Sequence, residues 1–166
     1  MEIEDGVPTR ESALRDNALL IGMIIYCIFA LALPIIGIVR AAKLIIYGTE
    51  VMAGAINAIG IGLIGTAVNF PVGFTFLSYP IANYMVFGTT KIVKDATDVQ
   101  KRKFNNLLNI FLIVLVCIMI IAILFALYAL INIEAIPVTS AIIFIILQAI
   151  GLLLFISGAI SLFFWD

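Results

Sequence analysis

The chain of 166 residues contains no histidine. That removes the usual haem axial ligand, the commonest transition-metal ligand and the usual proton shuttle near neutral pH. Charge is scarce too. Only 11% of residues are Asp, Glu, Lys or Arg, against about a quarter in a soluble globular domain. The net charge of −1 leaves no electrostatic footprint for nucleic acid. Two cysteines, Cys27 and Cys117, fall near the middle of apolar runs, where they read as small hydrophobes and not as a disulfide or metal pair. No Walker-type phosphate loop is present, metal clusters lack ligands, and nucleophile–base pairs lack a histidine. A Ser or Cys with a Lys base would need both at one membrane depth, and every lysine sits near the end of an apolar run. The sequence therefore predicts no catalytic residues, no cofactor and no metal.

Long uncharged runs are what the chain has instead. None of residues 17–39, 51–90, 104–133 or 135–165 contains Asp, Glu, Lys or Arg. Each is long enough for the roughly 20 residues that carry a helix across about 30 Å of hydrocarbon. With a mean hydropathy of +1.27, this predicts an all-α, polytopic integral membrane protein forming one transmembrane helical domain. No ionisable group lies near the centre of a well-supported span. Proton-coupled transport and rotary proton rings both need one there, so both are excluded.

A polar tail, 1–16, carries Glu2, Glu4, Asp5, Glu11 and Asp16 against Arg10 and Arg15. The apolar run after it is too long for a signal h-region and lacks a small-x-small cleavage site, so it reads as a retained first helix, 17–47. Arg40 and Lys43 close that helix, Gly48 and Thr49 mark its end, and Glu50 suits the next helix N-terminus. Residues 51–90 would make a helix of about 60 Å, twice the hydrocarbon thickness. A break is expected at Asn69–Pro71, with Pro80 a second weak point, making 50–88 a broken helix or short hairpin. Its second half is rich in aromatics (Phe70, Phe74, Phe76, Tyr79, Tyr84, Phe87), which suits an interfacial piece or a short span.

The loop 89–103 is basic. Thr97 and Gln100 have capping-box spacing for a third helix that starts in water and enters the membrane over 104–131. Asp98 and Arg102 are spaced i,i+4 in the favourable order. A short turn then leads to Pro137, suited to a first helical position, in a fourth helix over 136–165 that ends with Trp165 as an interfacial anchor. The short turn predicts an antiparallel hairpin. However 51–90 is divided, the positive-inside rule puts loop 91–103 in the cytoplasm. Four spans put both termini there as well.

Two small-residue seams stand out. Gly54, Ala58, Gly62 and Thr66 recur at i+4, with Asn57, Gly65 and Asn69 beside them. Such a strip lets helix backbones approach closely in lipid, and its amides can hydrogen-bond across the contact. The occupant can be the protein's own helices, a second copy or another subunit, or a permeation path. On the last helix Gln148, Gly151, Phe155 and Gly158 recur at steps of three or four, with Ser157 and Ser161 nearby. Gln148 is expected to make an interhelical hydrogen bond. Arg40 and Lys43, one turn apart, are expected to bind an anionic lipid headgroup or to pair with Glu50. Lys101, Arg102 and Lys103 read as a topology and lipid-surface signal.

The functional expectation is a structural or accessory subunit that packs through small-residue faces in a larger membrane assembly: a homo-oligomer, a multisubunit membrane enzyme or a viral membrane coat. Its partners would be membrane lipids and other membrane-protein chains or copies of itself. The alternative is a small-solute or ion pathway lined by Asn57, Asn69, Asn83 and Gln148 beside a broken second helix.

Overall fold

A computed structural model describes residues 3–4, 7–8 and 10–163. Trp165 and the tail acids Glu2 and Asp5 lie outside the described residues. Apart from a short antiparallel pairing of Ile3–Glu4 with Val7–Pro8, the described chain is helical. α1 spans Arg10–Tyr47, a 3-10 turn covers Gly48–Val51, and α2 spans Met52–Phe87. α3 spans Asp98–Ile131 and α4 spans Pro137–Phe163. Three stretches are long and apolar enough to cross a membrane: Leu14–Phe87, which runs through α1, the turn and α2; Asp98–Ile131; and Pro137–Ser161. This is consistent with a membrane protein.

The helix ends follow local chemistry. Gly48 and Gly88 take φ of +67° and +68°, a left-handed conformation that glycine adopts without a Cβ penalty, and so they close α1 and α2. At the start of α3, the Thr97 hydroxyl accepts from the Gln100 N–H and the Gln100 side chain accepts from the Thr97 N–H, completing the expected capping box. Pro137 is the first residue of α4, where its missing N–H leaves no bond unmade. α1 begins at Arg10 instead of Asn17, because nothing in RESALRD disfavours a helix once it has left lipid.

The expected break at Asn69–Pro71 is absent. α2 continues through both Pro71 and Pro80. Tertiary contacts hold the residues beside Pro71: Asn69 is fully buried and Phe70 almost so. A proline removes one intrahelical bond, and neighbouring helices can keep such a helix intact. The aromatic second half of α2 lies along α3, with Phe74 on Phe111, Tyr79 on Phe104 and Phe87 on Phe104 at ring-centroid distances of 6.5, 6.3 and 6.3 Å.

The helices alternate in direction. α1 and α2 are antiparallel, with Gly37 beside Gly62, Pro34 beside Gly65 and Ala30 beside Asn69. α2 and α4 are parallel, with Gly62 beside Gln148, Thr66 beside Gly151 and Gly73 beside Gly158. α3 lies on the outside of this trio. Among its described residues only Leu115 and Ala129 are buried, as its bulky, lipid-facing composition suggests. At the end formed by the 48–51 turn and the 132–136 connection, Ala41, Leu44, Ala55, Ile59, Ala129, Ile133, Ala141 and Phe144 form one apolar cluster.

Candidate functional site

The three-helix seam of α1, α2 and α4 gathers the small and polar residues. Its centre is Gln148, fully buried on α4. The Gln148 amide fills the space that side chains at Gly37 and Gly62 would occupy, and a Cβ at Gly62 would also lie 2.8 Å from the Gly37 Cα. Neither amide atom of Gln148 has a hydrogen-bond partner, so the expected interhelical hydrogen bond is replaced by steric interlocking. The Cα groups of the two glycines lie against the amide oxygen, a contact type worth about 0.5–1 kcal/mol.

Further layers repeat the close approach. A Cβ on Gly65 would meet Leu33 Cβ at 2.8 Å and Pro34 Cδ at 3.0 Å. One on Gly151 would meet Thr66 Cγ2 at 2.7 Å and the Phe70 ring at 3.3 Å. Gly73 packs against the backbone of Leu154 and Phe155, and a Cβ on Gly158 would meet the Gly73 oxygen at 2.6 Å. Tyr26 closes this end of the seam, edge-on to Phe155 at 6.0 Å.

Two of the seam's polar side chains answer to prolines. Proline has no N–H, so it orphans the carbonyl four residues before it in a helix. Pro34 in α1 orphans the Ala30 carbonyl, and Asn69 Nδ2 from α2 donates to that oxygen at 2.6 Å. Pro80 in α2 orphans the Phe76 carbonyl, and the single Ser161 hydroxyl proton from α4 is shared between that oxygen at 3.4 Å and the nearer Gly158 carbonyl at 3.0 Å. In each case a neighbouring helix offers a donor to the orphaned carbonyl. Of the predicted residues, the seam brings together Gly62, Gly65, Gln148, Gly151 and Gly158. Gly37, Gly73 and the Pro34–Asn69 relation escaped sequence reading, although the i−4 rule applied to Pro34 would have named Ala30 as a carbonyl in need of a donor.

The other predicted residues lie elsewhere. Gly54 and Asn57 are exposed and Ala58 is half-buried, with nothing within 4 Å of the position a Gly54 Cβ would take. Ile61, Ile64 and Val68 continue this outer face of α2, all exposed. Asn83 is turned to the connecting loop, donating to the Thr89 and Lys91 carbonyls, both at 2.8 Å. The four amides proposed to line a pathway therefore do not converge.

Compared with known families, curated proteins and solved structures, the chain matches none.

Arg40 and Lys43 lie near the end of α1 and, with Tyr47, Val51 and Ala55, line a cavity of about 360 Å³. Lys101, Arg102 and Lys103 are exposed at the opposite end of the bundle. There Lys101 shares a cavity of about 460 Å³ with Tyr79, Asn83, Phe87 and Phe104. An apolar groove of about 240 Å³ opens between α2 and α3, lined by Leu63, Phe70, Met119, Ala126 and Leu130 among others. Cys27 and Cys117 are both free and exposed. Among the described residues no three His, Cys, Asp or Glu side chains gather into a metal-ligand set.

Proposed function

We propose that the chain is a non-catalytic, multi-pass membrane protein that serves as a structural or accessory subunit. α1, α2, α3 and α4 each cross the bilayer, with the 91–103 loop and both termini in the cytoplasm. The observation that carries this reading is the division of the small residues on α2. Gly62, Gly65 and Gly73 are consumed in packing the chain's own helices, whereas Gly54 and Asn57 are exposed and nothing lies within 4 Å of the place a Gly54 Cβ would take. The buried polar side chains of the seam support a rigid scaffold: they fill glycine gaps or meet carbonyls orphaned by prolines. The exposed Gly54–Asn57 patch suits a close helix contact with another copy or another membrane subunit, because small residues admit close approach and an amide adds an interhelical bond of about 1 kcal/mol.

The experiment is gentle extraction from the native membrane followed by native mass spectrometry, on the wild type and on a Gly54→Leu/Asn57→Leu variant. The wild type is expected in a defined complex, and the variant as a folded single chain. A wild-type chain that extracts alone, or a variant that retains the complex, removes Gly54 and Asn57 as the docking face. Liposome flux by the isolated wild type that is lost with Gln148→Leu would favour the pathway reading instead.

A further inference from the structure

Arg40, Lys43 and Tyr47 lie on the outer face of α1, all three exposed, while Ala41 and Leu44 between them point into the core. With Val51 and the small side chain of Ala55, they line a half-open cavity of about 360 Å³, within the roughly 300–1,000 Å³ of small-ligand sites. The sequence left two partners open for the cations. The structure removes one of them: among the described residues no ion pair joins Arg40 or Lys43 to Glu50 or to any other carboxylate. Two cations one helical turn apart thus share a cavity whose lining holds no carboxylate, at the bundle end opposite the 88–97 loop.

We infer that this cavity is a binding site for the phosphate of an anionic membrane lipid. Guanidinium and ammonium groups suit phosphate oxygens, the planar fork of Arg40 by paired hydrogen bonds and Lys43 as a point charge. The Tyr47 hydroxyl adds a donor at headgroup level, and aromatic rings favour that depth. Beside the cations, Val51 and Ala55 add an apolar wall that the glycerol and ester end of a lipid can meet. A free phosphate would use the same cations but gain nothing from that wall. The site at Lys101, Arg102 and Lys103 differs: only Lys101 lines a cavity there, so that cluster attracts an anionic surface without enclosing one headgroup.

This inference rests on the membrane reading and is independent of the accessory role, since it needs no partner chain. Full-length protein is reconstituted in nanodiscs of phosphatidylcholine with phosphatidylglycerol. It is then released into detergent, and native mass spectrometry records the lipid each chain retains. The expected result is retention of phosphatidylglycerol over phosphatidylcholine, with affinity falling about 30-fold in Arg40→Gln/Lys43→Gln, at about fivefold for each juxtamembrane cation. The swapped variant Arg40→Lys/Lys43→Arg retains the lipid, and Lys101→Gln/Arg102→Gln/Lys103→Gln leaves retention unchanged. Equal retention of both lipids by the wild type overturns the inference, even where the double glutamine variant fails to fold. Equal loss in the variant of the Lys101 cluster overturns it too. Displacement of the retained lipid by inorganic phosphate at equal concentration assigns the cavity to a free anion and likewise overturns the lipid.

Discussion

A proline within a helix poses a question at the scale of one atom: what meets the carbonyl it orphans? In lipid no water is at hand, and an unsatisfied polar group costs several kcal/mol. For Pro34 the answer is Asn69, whose Nδ2 lies 2.6 Å from the Ala30 oxygen. The two residues should therefore be energetically coupled. Asn69→Ala in the wild type leaves the Ala30 carbonyl without a donor and is expected to destabilise the fold by about 1–3 kcal/mol. In a Pro34→Ala background the new backbone N–H can bond Ala30 itself, and the same Asn69→Ala change is expected to cost at least about 0.5 kcal/mol less. A double-mutant cycle by reversible unfolding in detergent measures this, and strictly additive effects would dissolve the pairing. Gln148 presents the opposite case, a buried amide held by shape with no hydrogen-bond partner.

At the scale of the element, the sequence shows the capping box at Thr97, the stop at Gly48 and the proline start of α4, because each depends on a few neighbouring residues. The continuity of α2 was not legible there, because it depends on groups far along the chain. Asn69 is anchored on α1, Phe70 lies against Gly151, and Gly73 lies against the backbone of α4. Local rules put a break at Pro71, and long-range packing overrides them. The same gap hid Gly37 and Gly73, whose role appears only once their partners on α4 are known. A continuous α2 has a measurable length. Spin labels at Ala53 and Met85, both exposed, are separated by about 48 Å along a straight helix at about 1.5 Å per residue. Pulsed electron resonance in nanodiscs is expected to find a distance within a few ångströms of that. A re-entrant turn at Pro71 would fold arms of about 27 and 21 Å back on each other and bring the labels to within about 15 Å.

For the whole molecule, the alternation of helix directions ties every connection to one of two ends. The 48–51 turn and the 132–136 connection share one end with the cluster around Leu44 and Phe144. The 88–97 loop and the start of α1 share the other. Charge-free runs are consistent with a chain that crosses lipid, but the positive-inside count alone cannot distinguish four crossings from five. Either division of residues 51–90 leaves the same cationic excess around the 91–103 loop. The antiparallel α1–α2 pair places the loop after α2 at the end of the bundle where α1 began, and on the proposed four-span reading both then lie on one face of the membrane. In a Cys27→Ala/Cys117→Ala background, single cysteines at Asp95 and Glu134 should therefore react from opposite faces of sealed right-side-out vesicles. An impermeant maleimide is expected to label Glu134→Cys from outside, and Asp95→Cys only after the vesicles are opened. A cysteine at Asp16 should behave as the one at Asp95 does. Labelling of the Asp16 and Asp95 positions from opposite faces would mean that α1 and α2 do not both cross, and the four-span bundle would have to be abandoned.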